Sequence, residues 1–223
     1  MALALARGGA RGAVHGRKGA GDVKRGVARI IRDGGAARGF AADVANAAAA
    51  RGLVRAVARW GRHLDILVNN VGEYKFESVE KTSVATFDRV VRTNLDAAFH
   101  TMSEAAPVMM KRKWGRVINI GFAGAQAVRA APNIAPYLAA KTGLLILTRS
   151  FAVRLAPRGV TVNMISPGVM WNTNNRSRKL ERTIPAGRYG NADDLTRVLL
   201  FLCDEASGYI TGTQIEITGG WGL

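Results

Sequence analysis

The sequence predicts an α/β fold, a doubly wound parallel sheet in one domain, on three observations. Short apolar runs bounded by turn residues alternate with stretches of helical period along the chain, the mark of repeated strand–helix units. The central runs are apolar at consecutive positions, as strands covered by helices on both faces must be. A chain of 223 residues, 48% hydrophobic and 22% charged, carries enough apolar surface for one sizeable core and too much for a disordered segment.

In order, Met1 to Arg7 reads as the tail of a helix, because its run of Ala and Leu suits a helix better than a buried strand. The strand candidates are Ala13-Val14-His15, Phe40-Ala41-Ala42, Ile66-Leu67-Val68, Val117 to Ile120, Thr161 to Ile165 and Gln214 to Ile217. Helices are expected over Asp22 to Asp33, Ala45 to Trp60, Thr86 to Lys111, Tyr137 to Leu155 and Asn191 to Cys203. No internal repeat, low-complexity linker or second-domain boundary interrupts this pattern, so residues 1–223 are read as a single domain.

Composition narrows the setting. No apolar run approaches the roughly 18 residues of a membrane span. Met1 to Ala6 lacks the basic start of a secretory signal. The single Cys203 precludes an internal disulfide and suits a reducing compartment, so a cytoplasmic protein is expected. The net charge of +16 invites an acidic partner: nucleic acid, anionic lipid, a phosphorylated cofactor or an acidic carrier protein. The basic residues are dispersed, with clusters only at Lys111-Arg112-Lys113 and Arg176 to Arg182, and no stacking aromatics accompany them. Neither a nucleic-acid nor a membrane partner is expected, and no metal site is predicted.

Chemistry concentrates at Tyr137-Leu138-Ala139-Ala140-Lys141, where a phenol and an ammonium lie one helical turn apart on one face. A free phenol titrates near pKa ~10, and a neighbouring ammonium favours its charged form. Tyr137 is therefore expected to be drawn down toward the working range of an acid–base group. Around this pair stand Asp65 to Gly72 (with Asn69-Asn70-Val71-Gly72), Thr93-Asn94-Leu95, Asn163 to Gly168 and Tyr209-Ile210-Thr211-Gly212. From about Ala13 onward, these landmarks in this order resemble the short-chain dehydrogenase/reductase family, and within it most closely the 3-oxoacyl-acyl-carrier-protein reductases.

That resemblance implies a Rossmann-like, NADP(H)-dependent oxidoreductase that moves hydride between nicotinamide and a carbonyl or secondary alcohol. Tyr137 would be the acid–base, Lys141 would also hold the nicotinamide ribose, and Asn94 would steady a water linking Lys141 to solvent. Asn94 is equally readable as a core residue that kinks its helix. The Asn69 and Asn70 amides would brace strands, and Gly72 would let the backbone approach the adenosine ribose. Asp43-Val44 resembles the pair that holds the adenine amino group, although Asp43 could equally cap the helix starting at Ala45. Arg17, with His15, falls where the adenosine ribose rests; a guanidinium there fits a 2′-phosphate and points to NADP(H) over NAD(H).

Pro167-Gly168-Val169-Met170-Trp171-Asn172-Thr173 resembles the nicotinamide loop, with Asn172 at the family's usual Thr position by strict count and Thr173 beside it. The segment from Trp171 to Thr183, with Asn174, Asn175, Arg176, Arg178 and Arg182, would cover a polar, anionic or carrier-bound acyl substrate. Lys113 and Arg158 stand where the family docks its acidic carrier, though such residues are common on surfaces. A homo-oligomer, dimer or tetramer, is expected through the helices starting near Thr86 and Tyr137 and the last strand, which runs on to Gly219-Gly220-Trp221-Gly222-Leu223.

Two departures temper the resemblance. The family places a Ser just after its fifth strand; here Asn119-Ile120-Gly121-Phe122-Ala123-Gly124-Ala125 puts Phe122 there by strand register, or Gly124 by counting back from Tyr137. No Ser or Thr lies between Val117 and Tyr137. Losing one oriented donor to a developing oxyanion costs roughly 10²–10³ in rate. Gln126 or Asn133 are the candidate substitutes.

The second departure is at the start. Gly8-Gly9-Ala10-Arg11-Gly12 superficially matches a phosphate-binding turn, but it lies only 35 residues before Asp43, too close for the elements required between them. The better register omits about 30 residues: the first strand, the phosphate loop and most of the first helix. It leaves a gap in mid-sheet. An interior strand of about six apolar side chains is worth on the order of 10 kcal/mol, comparable with a domain's whole net stability. Either the native chain begins earlier or something else fills the slot. The competing reading is a catalytically impaired homologue that serves as a subunit or binding module.

Overall fold

The computed structural model describes residues 1–17, 21–173 and 176–222. Helix α1 (Ala2–Arg7) leads into strand β1 (Gly12–Gly16), followed by α2 (Gly21–Arg32), β2 (Ala37–Ala41), α3 (Ala47–Gly61) and β3 (Ile66–Asn69). Next come α4 (Val84–Val91), a π-helical turn (Arg92–Asp96), α5 (Ala97–Arg112), β4 (Gly115–Ile120), α6 (Ala135–Leu155) and β5 (Val160–Pro167). The chain closes with α7 (Arg178–Glu181), α8 (Ala192–Cys203) and β6 (Gln214–Ile217).

All the strands are parallel, as the alternation of strand and helix predicts. They form two sheets, β1–β2 and β3–β4–β5–β6. Every residue of β4 is buried, as are those of β5 up to Ser166. Side chains alternate between two cores. Val117, Val162 and Met164 pack with Met102 and Met109 of α5 and Leu144 of α6, while Ile118, Ile120 and Ile165 pack with Leu199 and Leu202 of α8. The sheet divides where the sequence register placed its gap. A cleft of about 590 Å³ lies between the two parts, lined by Val14 and His15 of β1, Leu67 and Val68 of β3, and Leu53, Val57 and Trp60 of α3.

The helix boundaries have local causes. Asn46 caps α3 by accepting from the Ala49 N–H, and Asn191 with Asp194 forms a capping box on α8. Asp43 is therefore not the cap. Its carboxylate accepts from the Ala45 N–H in a turn, and the helix begins at Ala47.

The helix expected over Thr86 to Lys111 is broken into α4, the π turn and α5. Thr93 Oγ1 donates to the Arg89 and Val90 carbonyls, and Asn94 Nδ2 also donates to Val90, so side chains compete for the backbone acceptors. Among the described residues, no helix is long and apolar enough to cross a membrane.

Candidate active site

Pro136, in the first turn of α6, pre-sets the backbone there and starts the helix just before Tyr137. Lys141 follows one turn later and is only 4% exposed. Its Nζ lies 5.5 Å from the centre of the Tyr137 ring and donates to the Ile120 carbonyl at 2.7 Å. Burial lowers the Lys141 pKa to about 8.

Tyr137 departs from expectation: its pKa is pushed up to about 12, first by burial and second by Tyr74. The rings around it are the cause. Tyr74 meets Tyr137 edge-on at 5.1 Å, and Phe122 meets it edge-on at 5.5 Å. Phe122 in turn packs on Trp221 at 6.4 Å. This row of four rings strips water from the phenol, and the loss of hydration outweighs any pull from the lysine.

Phe122 is held facing Tyr137 because the β4–β5 ladder runs on past the strand. The Gly121 N–H donates to Ile165 and the Ala123 N–H to Pro167. Gly124 instead makes the turn, with φ +81° and its N–H on Glu216 Oε1 at 2.8 Å. The strand register thus describes the site, and the count back to Gly124 does not. Gln126 and Asn133 are both solvent-exposed.

Asn94 is 1% exposed in the π turn. Its Nδ2 donates to the Glu73 carbonyl at 2.8 Å and to Val90 at 2.9 Å, while its Oδ1 is buried with no protein partner. A Cβ added at Gly72 would overlap that oxygen, which gives this glycine a structural reason of its own. The buried, unpaired acceptor suits a bound hydroxyl or water. Asn69 ties the sheet together: its Nδ2 donates to Asn119 Oδ1, and Asn119 donates to Thr148 of α6. Asn70, next in sequence, is exposed.

The remaining expected residues fall at two places. Arg17, exposed, follows β1, and Asp43 and Val44 follow β2, so these three belong with the two-stranded sheet. Val44 is buried, its carbonyl is met by His100 Nδ1 at 3.1 Å, and it lines the cleft together with His15, Asn69 and Asn70. At the other place, β5 ends at Pro167, and the Gly168 N–H donates to Ile217. Met170 then bridges to Gly190, and Trp171 and Asn172 are exposed.

Arg176, Arg178 and Arg182 point to solvent around α7, which Ser177 caps. Asn174, Asn175 and Leu223 lie outside the described residues. Sequence reasoning did not find Tyr74 or the ring contact of Trp221. The available signal for Tyr74 was its place two residues after Gly72, just beyond the end of a parallel strand, where sites of such folds form. Among the described residues, no cluster of three or more His, Cys, Asp or Glu could hold a metal.

The family model for Enoyl-(Acyl carrier protein) reductase matches residues 1–222. The D-beta-hydroxybutyrate dehydrogenase of Rhizobium meliloti (strain 1021) is 35% identical over 70% of this chain and 67% of its own. The chain belongs to the short-chain dehydrogenase/reductase family, a family of oxidoreductases. The 3-oxoacyl-(acyl-carrier-protein) reductase FabG of Aquifex aeolicus (strain VF5) is 34% identical over 70% of this reductase-family chain and 65% of its own. The matches thus span about two thirds of these relatives' length. A solved structure from Sinorhizobium meliloti 1021, assigned to the short-chain alcohol dehydrogenases, superposes with a TM-score of 0.91 at 32% identity. It covers 99% of this short-chain dehydrogenase/reductase and 89% of that chain.

Proposed function

We propose that this protein is an NADP(H)-dependent carbonyl reductase, related in chemistry to 3-oxoacyl-acyl-carrier-protein reduction, with Tyr137 as its acid–base. The observation that carries the reading is the Tyr137–Lys141 pair on the first turns of α6, facing the end of β4, with the unpaired Asn94 Oδ1 in the π turn that packs against α6. The nicotinamide supplies hydride when bound.

Tyr137 is protonated at neutral pH and delivers its proton to the carbonyl oxygen. Lys141 holds the ribose hydroxyls, and Asn94 Oδ1 accepts from the water or hydroxyl between them. Pro167, Gly168, Met170 and Asn172 border the nicotinamide; Asn70, Gly72, Asp43 and Val44 border the adenosine; Arg17 pairs with the 2′-phosphate.

The substrate is a small-molecule or acyl-carrier-bound carbonyl, and Lys113 and Arg158, both exposed, are the basic residues that would meet an acidic carrier. The site of action is the cytoplasm. Val84, Phe99, Ile146 and Val153 leave apolar surface exposed on α4, α5 and α6, which supports a homodimer or homotetramer through those helices. Light scattering on the purified protein tests that assembly.

The test of the reductase reading is an NADPH titration followed by tryptophan fluorescence, with NADH in parallel. Saturable quenching by NADPH that weakens on Arg17→Ala, and turnover of ketones lost in a folded Tyr137→Phe variant, support it. A second reading is favoured by Phe122, which carries no donor where the family has one: a homologue retained as a subunit or binding module. A flat titration with folded protein supports that second reading and sinks the first.

A further inference from the structure

We infer that Tyr74 is a second hydroxyl donor to the substrate carbonyl, standing with Tyr137 on the developing oxyanion where Phe122 offers no hydrogen bond. This rests on the reductase reading above and names a catalytic residue for it. A carbonyl oxygen that gains negative charge as hydride arrives is best met by more than one preorganised donor. Phe122 fills one flank of Tyr137 with a hydrocarbon ring. A second ring against Tyr137 is that of Tyr74, which meets it at 5.1 Å and 83° and carries the same functional group. Tyr74 is also, after burial itself, a cause of the raised Tyr137 pKa, as its close ring contact allows.

The placement of Tyr74 is built into the fold. The preceding residue, Glu73, is clamped three ways from α4 and the π turn. Its N–H donates to Thr93 Oγ1 at 3.3 Å, its carbonyl accepts from Asn94 Nδ2 at 2.8 Å, and its carboxylate accepts from Arg89 Nε at 2.9 Å. Three residues beyond Tyr74, the Glu77 N–H donates to Asn133 O and the Val79 N–H to Pro132 O, each at 2.8 Å, which ties the loop to the approach of α6. Tyr74 is thus pinned on both sides while remaining 55% exposed, rigid in backbone and open to an incoming ligand. The π turn that carries Asn94 also orients the loop carrying Tyr74.

The experiment compares Tyr74→Phe, Phe122→Ser, their double variant and Tyr137→Phe, with NADPH and a panel of ketones. Tyr74→Phe removes only the hydroxyl and keeps the ring contact, so the thermal midpoint and NADPH affinity should stay at the unaltered values. The expected result is a roughly 10²–10³-fold fall in kcat for Tyr74→Phe. Phe122→Ser in the same chain should restore at least about tenfold of it by supplying the donor from position 122. A Tyr74→Phe variant that keeps kcat within about threefold while Tyr137→Phe is dead overturns the inference and leaves the reductase reading standing. So does NADPH binding without turnover in the unaltered chain, if turnover appears on Phe122→Ser. Absence of both NADPH binding and turnover in every variant overturns the reductase reading, and the role of Tyr74 with it.

Discussion

The Lys141 ammonium donates to the Ile120 carbonyl at 2.7 Å, where α6 meets the end of β4. That bond fixes the side chain inside the protein, where burial brings its pKa from 10.5 to about 8. Below pH 8 the folded protein carries a charge it would hold more easily unfolded. Between about pH 8 and 10.5 the unfolded chain binds the extra proton, so stability from this group rises with pH across that window.

Lys141→Met should therefore stabilise the fold at pH 7 by about 1–3 kcal/mol, allowing for the bond lost to Ile120, while ending any reductase turnover. Urea unfolding at neutral and alkaline pH checks this. The advantage should shrink as the pH passes through the folded pKa, and a destabilised variant at pH 7 would sink the argument.

Tyr137 should show a directional pH dependence. With its pKa near 12 the phenol is protonated in the resting site, ready to donate. Carbonyl reduction should hold level through neutral pH and fall as Lys141 loses its proton above about pH 8. Alcohol oxidation needs the phenolate and should rise about tenfold per pH unit up to about pH 8, flattening above it as Lys141 loses its proton. Initial rates in both directions decide it, and an oxidation rate already level below pH 8 would show the phenolate already formed.

Phe122→Ala should lower the Tyr137 pKa, because burial is the first cause of its elevation and this ring is one of the walls. Titration of phenolate absorbance, with Tyr137→Phe as the subtraction control, reads the shift directly. The same change should cost about 2 kcal/mol from lost aromatic packing on Tyr137 and Trp221. An unmoved titration would mean that Phe122 is not what dries the site.

Gly72 and Asn94 should behave as a coupled pair. Gly72→Ala drives a methyl into Asn94 Oδ1 and should destabilise by about 2–3 kcal/mol. Asn94→Ala alone frees the Glu73 and Val90 carbonyls and should cost about 1–3 kcal/mol. The double variant removes the clash, so its loss should be at least about 1 kcal/mol smaller than the sum. Additive losses in a double-mutant cycle would contradict the contact.

Arg116 should prove structural. It is 2% exposed, stacks on Trp114 at 4.6 Å, and donates to the Gly115 carbonyl at 3.0 Å and the Asp204 carbonyl at 3.2 Å. Arg116→Ala should cost about 2–4 kcal/mol, and Arg116→Lys should recover less than half, since a point charge cannot span the fork and the stack. Equal stability of the Lys variant in urea would refute the geometric account.

Read alone, the sequence determined the order of strands and helices, the parallel sheet, the position of its interruption and the Tyr137–Lys141 face. Each follows from local period or register: apolar runs such as Val117 to Ile120, and two side chains one helical turn apart. It marked Asn94 as a residue able to kink its helix but did not disclose the π-helical break over Arg92–Asp96, because that depends on whether Thr93 and Asn94 turn back onto their own backbone.

Nor did it disclose the direction in which Tyr137 titrates. That was decided by Tyr74, Phe122 and Trp221, which arrive from three distant segments and set the hydration of the phenol. Period along a chain records which face a residue takes. Solvation at a site is a property of everything packed around it, and only the tertiary structure assembles that.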